Sequence, residues 1–283
     1  MAFRARKAFG SSARNARLVT IECSPLYSWP NERGHVPENC IQVFPVTQSK
    51  TSIPSLLLSN VCHIGNKVDE LQGVAGINNA SIAIVTESWL TSVTPLCSIS
   101  IGEYNIYRKD RNNRQGGGVV VYVKNYLRSK RLSEFENEDK EVLWLKLFPP
   151  RLPRPLSCIL VAGIYFPPDK TAEEEKDTID YLKNCTNAVL KDNPSAGVLL
   201  PGDFNKLCHR NLCRRFKLKS LVRAPTRGNN ILDQILTNMD SLFEHTLHIP
   251  PLGKWDHQCL LIKPRCQQSK LKPISREYRV CKQ

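Results

Sequence analysis

Nowhere does the sequence approach the ~18 consecutive apolar residues that a membrane span requires, and it has no apolar secretion core behind its basic start. A membrane-embedded or secreted chain is therefore not expected, and neither is a membrane partner. Its eleven cysteines show no regular spacing, which excludes a disulfide framework and points to reduced thiols in the cytoplasm or nucleus. Cys62-His63 and Cys208-His209 with Cys213 do not supply two ligand pairs at zinc spacing, so idle or buried thiols are expected instead. Gly116–Gly118 lacks the Lys-Ser/Thr pair and following helix of a phosphate-binding loop, and it reads as a flexible turn before a strand. Acidic residues are also scarce: 26 Asp and Glu stand against 40 Lys and Arg, for a net charge of +14. That balance favours a polyanionic partner.

The excess charge is concentrated. Residues 1–50 carry seven basic and three acidic side chains, and residues 264–283 carry six and one, so the middle of the chain is only mildly basic and any nucleic-acid surface must be local. One candidate is Lys206 to Arg227, with eight Lys or Arg and no acid. It reads either as a surface that neutralises backbone phosphates or as a solvated helix face plus loop.

Residues 1–50 mix Pro, Arg, Ser and Asn without periodicity and are expected to be a disordered basic extension. Their acid-free start has the composition of a mitochondrial presequence and equally of a basic arm. Residues 51–264 form the expected domain, and residues 265–283 a basic tail or linker start. Within the domain, short apolar runs predict strands at Pro54–Asn60, Ser81–Thr86, Tyr104–Tyr107, Gly117–Lys124, Val142–Leu147, Ser157–Tyr165, Gly197–Leu200, Ile231–Leu236 and His257–Ile262. Helices are expected over Asn66–Val74 and Thr171–Leu190, the second opening on Glu173, Glu174 and Glu175. Many strands with few helices suggest stacked sheets flanked by helices.

Several polar residues fall at predicted strand ends, where a rigid scaffold presents groups to a cleft. Glu87 ends SIAIVTE and is either a surface or capping carboxylate or a hard oxygen ligand for Mg²⁺. Asp203 and Asn205 follow the apolar run GVLLPG. They are turn formers beside Gly202 or, if extended geometry persists, a carboxylate and a carboxamide on one side that could hold an attacking water. Asp233 interrupts the apolar run ILDQIL. It is either an outward-facing strand position or a buried acid in need of a partner, which His257 of the Asp256-His257 pair could supply.

Taken together these segments resemble the endonuclease/exonuclease/phosphatase family, and within it the apurinic-type endonuclease domain of non-LTR (LINE-type) retrotransposons. The resemblance runs from about Ile53 to Pro264 through seven ordered blocks: SNVCHIGNKVDEL, IVTESWL, YRKDRNNRQGGGVVVYV, GIYFPPD, PGDFN, APTRGNNILDQILTN and PPLGKWDH. It implies a DNase I-like, four-layered α/β sandwich of two packed β-sheets flanked by helices, with the site at one end of the sheets. It further implies a metal-dependent phosphodiester hydrolase that nicks one DNA strand, leaving a 3′-hydroxyl and a 5′-phosphate, with Mg²⁺ as cofactor and Mn²⁺ as a substitute. Carried over residue by residue, Glu87 would be the main metal ligand, with Asn60 and Asp256 assisting. Tyr165 would contact the scissile phosphate, Asp203 would position or deprotonate water, and Asn205 would support the developing charge. Asp233 would orient His257, which would stabilise the pentacovalent transition state. Thr226, with Arg227, Arg214 and Arg215, would meet the backbone of duplex DNA. No obligate protein partner is implied.

The sequence departs from the family pattern at Trp255, where a small hydroxylated residue is usual, and at Cys62, where Arg or Asp stands in relatives. Trp255 could displace Asp256 or narrow the DNA groove. That keeps a catalytically weak or inactive nucleic-acid-binding domain as an alternative, beside a family phosphatase or phosphodiesterase with another substrate. The chain also stops where a reverse transcriptase would follow in such elements, which leaves a truncated element, a gene-model fragment and a host-adopted domain as the alternatives.

Overall fold

The computed structural model describes residues 53–111 and 115–265. The expected extension 1–50, and the expected tail apart from Arg265, lie outside the described residues. Among the described residues, twelve strands form two six-stranded sheets. The first sheet runs in the order β11 (Leu247–Ile249), β12 (Cys259–Ile262), β1 (Leu56–Asn60), β2 (Ile82–Thr86), β4 (Val119–Lys124), β3 (Tyr104–Lys109). The second runs β5 (Arg128–Arg131), β6 (Glu141–Phe148), β7 (Ile159–Tyr165), β8 (Gly197–Asp203), β10 (Asp233–Thr237), β9 (Lys219–Ser220). Each sheet contains one parallel pair, β1–β2 and β7–β8. These are joined by the crossover helices that parallel neighbours require, α1 (Val68–Ile77) and α2 (Ala172–Asp192).

Strand alternation divides the buried residues among three layers of packing. Leu56 and Leu58, Ile82 and Ile84, and Val119 and Val121 face Leu143, Leu145, Ile159, Val161, Leu199 and Ile235 between the sheets. The intervening residues Leu57, Ala83, Val85 and Val120 turn outward onto Val68, Leu71 and Ala75 of α1. Val142, Trp144, Leu160, Ala162, Val198 and Leu200 turn outward onto Ile179, Leu182 and Val189 of α2 and Leu212 of α3 (Arg210–Phe216). Helix, sheet, sheet and helices make the four layers expected. With both faces covered, the central strands read as unbroken apolar runs.

All nine predicted strands and both helices are present, with ends shifted by a few residues. Helix α2 starts where its signal lies. Thr171 Oγ1 accepts from Glu174 N, and the Glu174 carboxylate accepts from Thr171 N, a reciprocal cap. Hydrogen bonds from Lys170 and Thr171 hold that carboxylate down at about 2.

Candidate active site

Five strand ends meet at one end of the sandwich. Asn60 closes β1 opposite Thr86, and Glu87 follows directly on β2. Asp203, the last residue of β8, lies opposite both Tyr165, the last of β7, and Asp233, the first of β10. The registers therefore place these side chains together.

Asn60 joins the two sheets. Its Nδ2 donates to Glu87 Oε1 and to Asp203 Oδ2, both at 2.9 Å, while Cys62 N donates to Asn60 Oδ1 at 3.3 Å. That backbone contact fixes which end of the carboxamide faces the acids. Glu87 sits at φ 51°, a left-handed conformation rare outside glycine. It is held there because His63 N donates to its carbonyl and, in the two residues that follow, Ser88 N and Trp89 N donate to the carbonyls of Gly118 and Gly117. Cys62, His63 and Trp89 share positive φ, so the residues around the Asn60–Glu87 contact are the ones under backbone strain.

Behind them lies a buried acid-base group. His257 Nδ1 and Asp233 Oδ2 are 2.9 Å apart, and both side chains are about 1% exposed. Asp203, Asp233 and His257 each place one donor atom within 4.8 Å of the others. Burial pushes the Asp203 carboxyl up to about 7, and the Asp233 charge adds to the shift. For His257, burial opposes the charged form, but the hydrogen bond and charge of Asp233, with the charge of Asp203, outweigh it and raise the imidazolium pKa. Asp233 is thus a buried strand acid with a partner, as its place in ILDQIL implied. Thr226 positions this pair from behind. Its buried hydroxyl accepts from Leu232 N and Asp233 N, and its carbonyl accepts from Gln258 N. Turned inward in this way, the Thr226 hydroxyl is committed to backbone donors and buttresses the Asp233 strand start.

Two expected alignments do not appear. Extended geometry ends at Asp203, and Asn205 stands at φ 46°. Its amide therefore donates to Phe166 O, while its backbone N donates to Asp203 Oδ1. In this arrangement Asn205 holds Asp203 and does not point beside it. Arg214 and Arg215 lie on α3, lining a 460 Å³ cavity with Lys183, Asn184, Asn187 and Asn211 on the outer helical face. Helix α2 begins at the site end and Lys183 is eleven residues along it, roughly 17 Å away at helical rise. The structure does not bring these two arginines to the site.

Arg227 is close by: its Nε donates to Asp256 Oδ2 at 2.7 Å, on the exposed rim. Trp255 has not disrupted the neighbouring His257–Asp233 contact. Its indole N–H is nevertheless buried with no hydrogen-bond partner, which is costly unless something else supplies one.

A hard divalent cation suits this donor set. Asp203 and Asp233 concentrate carboxylate charge around one imidazole with Glu87 joined to Asp203 through Asn60, Asp233 Oδ1 is buried without a donor, and Asp203 resists ionising. Each of these costs would fall near a cation. Glu87 is the most available ligand, since its Oε2 receives only a long 3.4 Å contact from Trp89 Nε1. Asp256 would first have to leave Arg227.

Solved structures place this architecture. The endonuclease domain of TRAS1, a telomere-specific non-LTR retrotransposon, superposes with a TM-score of 0.57 at 15% identity, over 76% of this chain and all of that one. The AP endonuclease LMAP from Leishmania major gives 0.60 at 13% identity, over 76% and 88%. The chain has the DNase I-like fold. The 3′ phosphatase NExo from Neisseria shares this fold too, with a TM-score of 0.53 at 11% identity over 76% of this chain and all of that one. No family model matches the sequence, and no curated protein matches it. In this DNase I-like fold the strand ends that carry Asn60, Glu87, Tyr165, Asp203 and Asp233 share one rim. Two contributors were not singled out from the sequence: Arg111 and Glu141. They bond to each other beside Tyr165, and their only sequence signal was a charged residue on each side of the glycine run.

Proposed function

We propose that this chain is a magnesium-dependent DNA endonuclease of retrotransposon origin that nicks one strand to leave a 3′-hydroxyl and a 5′-phosphate. The observation that carries the reading is the joining of Glu87 and Asp203 through Asn60, with the His257–Asp233 pair directly behind. The DNase I-like neighbours named for nuclease and phosphatase activities support it.

Asp203, whose carboxyl is raised above the ordinary carboxylate range by burial and by the Asp233 charge, accepts the proton of the attacking water. Asn205 N and Asn60 Nδ2 each donate to a different Asp203 oxygen and so fix the direction of that carboxylate. His257, held charged by Asp233, places a cation where negative charge develops on phosphorus. Tyr165 is buried, which together with the nearby Glu87 and Asp203 charges raises its phenol pKa, so it remains a hydrogen-bond donor to a phosphate oxygen. Glu87, with Asn60 and Asp256, would hold Mg²⁺ or Mn²⁺, which when bound supplies charge neutralisation at the phosphate. Duplex contacts fall to Arg227 at the rim and to the basic α3 face.

Supercoiled plasmid tests this reading. Open-circular product should appear with Mg²⁺, vanish with chelator, and be resealed by DNA ligase without end repair. Product that ligase cannot seal would overturn the proposed ends, and metal-independent nicking would overturn the proposed chemistry.

A further inference from the structure

Glycines 116–118 are a motif that the sequence left without a task, and their surroundings supply one. Gly117 adopts φ 68°, and a Cβ there would collide with Glu141 Oε2 and Arg111 Cζ. The missing side chain is the space in which an ion pair sits. Arg111 donates through Nε and Nη2 to Glu141 Oε1, at 2.8 and 2.5 Å, and Glu141 Oε2 accepts from Gly118 N. Both side chains are nearly buried, at 13% and 10% exposed. Glu141 stands directly across from Tyr165 in the β6–β7 register, and side chains directly opposed on paired strands share a sheet face. The captured guanidinium therefore lies over the phenol ring, 5.6 Å from its centroid. The carbonyls of Gly117 and Gly118 receive Trp89 N and Ser88 N, so the same assembly pins the turn that carries Glu87.

We propose that the Arg111–Glu141 pair is a positioning device that sets the Tyr165 phenol, and that Gly117 is glycine to make room for it. This rests on Tyr165 contacting the scissile phosphate. A cation over an aromatic face, itself locked by a two-bond carboxylate contact, restricts ring displacement more than packing alone does. The pair acts through Tyr165.

The test is a double-mutant cycle read by two independent signals. Glu141→Gln keeps shape while removing the charge that locks Arg111, and Arg111→Lys keeps charge while removing the planar fork. Each should lower kcat for nicking about tenfold with KM within about twofold, yet cost less than about threefold in a Tyr165→Phe background. Equal losses in both backgrounds would overturn the proposal. Protein labelled with 3-fluorotyrosine gives a ¹⁹F resonance for position 165, identified by its absence in Tyr165→Phe. That resonance should move in Glu141→Gln and Arg111→Lys while the other tyrosine signals hold. An unmoved resonance overturns the positioning role even if nicking falls. A moved resonance in protein that never nicks upholds the positioning and removes only the proposed activity.

Discussion

Asp203 and His257 tie the stability of the protein to pH in a direction opposite to that of most surface carboxylates. Asp203 titrates near 7 when folded against an ordinary 3.8, so between those values the folded chain keeps a proton that the unfolded chain releases. Stability therefore falls as pH rises through that window. His257 acts in the same sense. Its raised pKa stabilises the fold below the ordinary 6.5, and that contribution is lost as pH climbs through the folded value. Thermal melts of metal-free protein should drop on the order of 5 °C between about pH 5 and about pH 8, with Mg²⁺ or Asp203→Asn flattening the slope. A melting temperature that rises over this range would contradict the assignment. Trp255 offers a second test. Because the His257–Asp233 contact beside it is intact, relief of a steric fault is not expected from Trp255→Ser. Trp255 is half-buried and its indole N–H has no partner among the described residues, so the reading left to test is that it stacks on bound duplex. Trp255→Ser should weaken duplex binding by roughly 1–3 kcal/mol with kcat nearly unchanged, as loss of a stacking platform would. Faster nicking at unchanged affinity would restore the steric reading.

Helix α3 shows how a charge pattern can be legible while its placement is not. Lys206 to Arg227 announced a basic surface, but only the β8–α3–β9 path sends Arg214 and Arg215 to the outer face beside α2, away from Asp203. Replacing both by Ala should reduce the salt dependence of duplex binding, each lost phosphate contact lowering the slope by about one, while kcat stays unchanged. An unaltered slope would reduce the face to a solvated surface, and a lower kcat would bring the arginines back to the site. The same distinction runs through the strands. Central ones such as β7 and β8 are buried on both faces and announced themselves as apolar runs. Strands β5, β9 and β11 did not. RSKR, KS and LHI lie at sheet edges and are short and partly exposed, and the first two carry the charge that edges use against pairing.

The whole sandwich turns distant sequence blocks into one site because its registers bring the ends of β1, β2, β7, β8 and β10 to a common rim. Glu87, Asp203, Asp233 and His257 were visible beforehand, since a polar residue that closes or interrupts an apolar run must find a partner there to offset its burial, whereas Asn60 was indicated only by the family resemblance. Asn205 was legible by type, but its direction was not, because the positive φ that turns its amide onto Phe166 O is set by the loop and not by strand alternation. Arg111 and Glu141 are thirty residues apart and become partners only through the cross-strand register beside Tyr165. That the converged rim is the working site is the central claim, and Asp203→Asn with His257→Ala tests it most directly. With folding checked by circular dichroism, each variant should nick supercoiled plasmid at least about 10³-fold more slowly while binding duplex within a few-fold of the parent protein. Nicking at the parent rate by either one would show that the chemistry happens elsewhere.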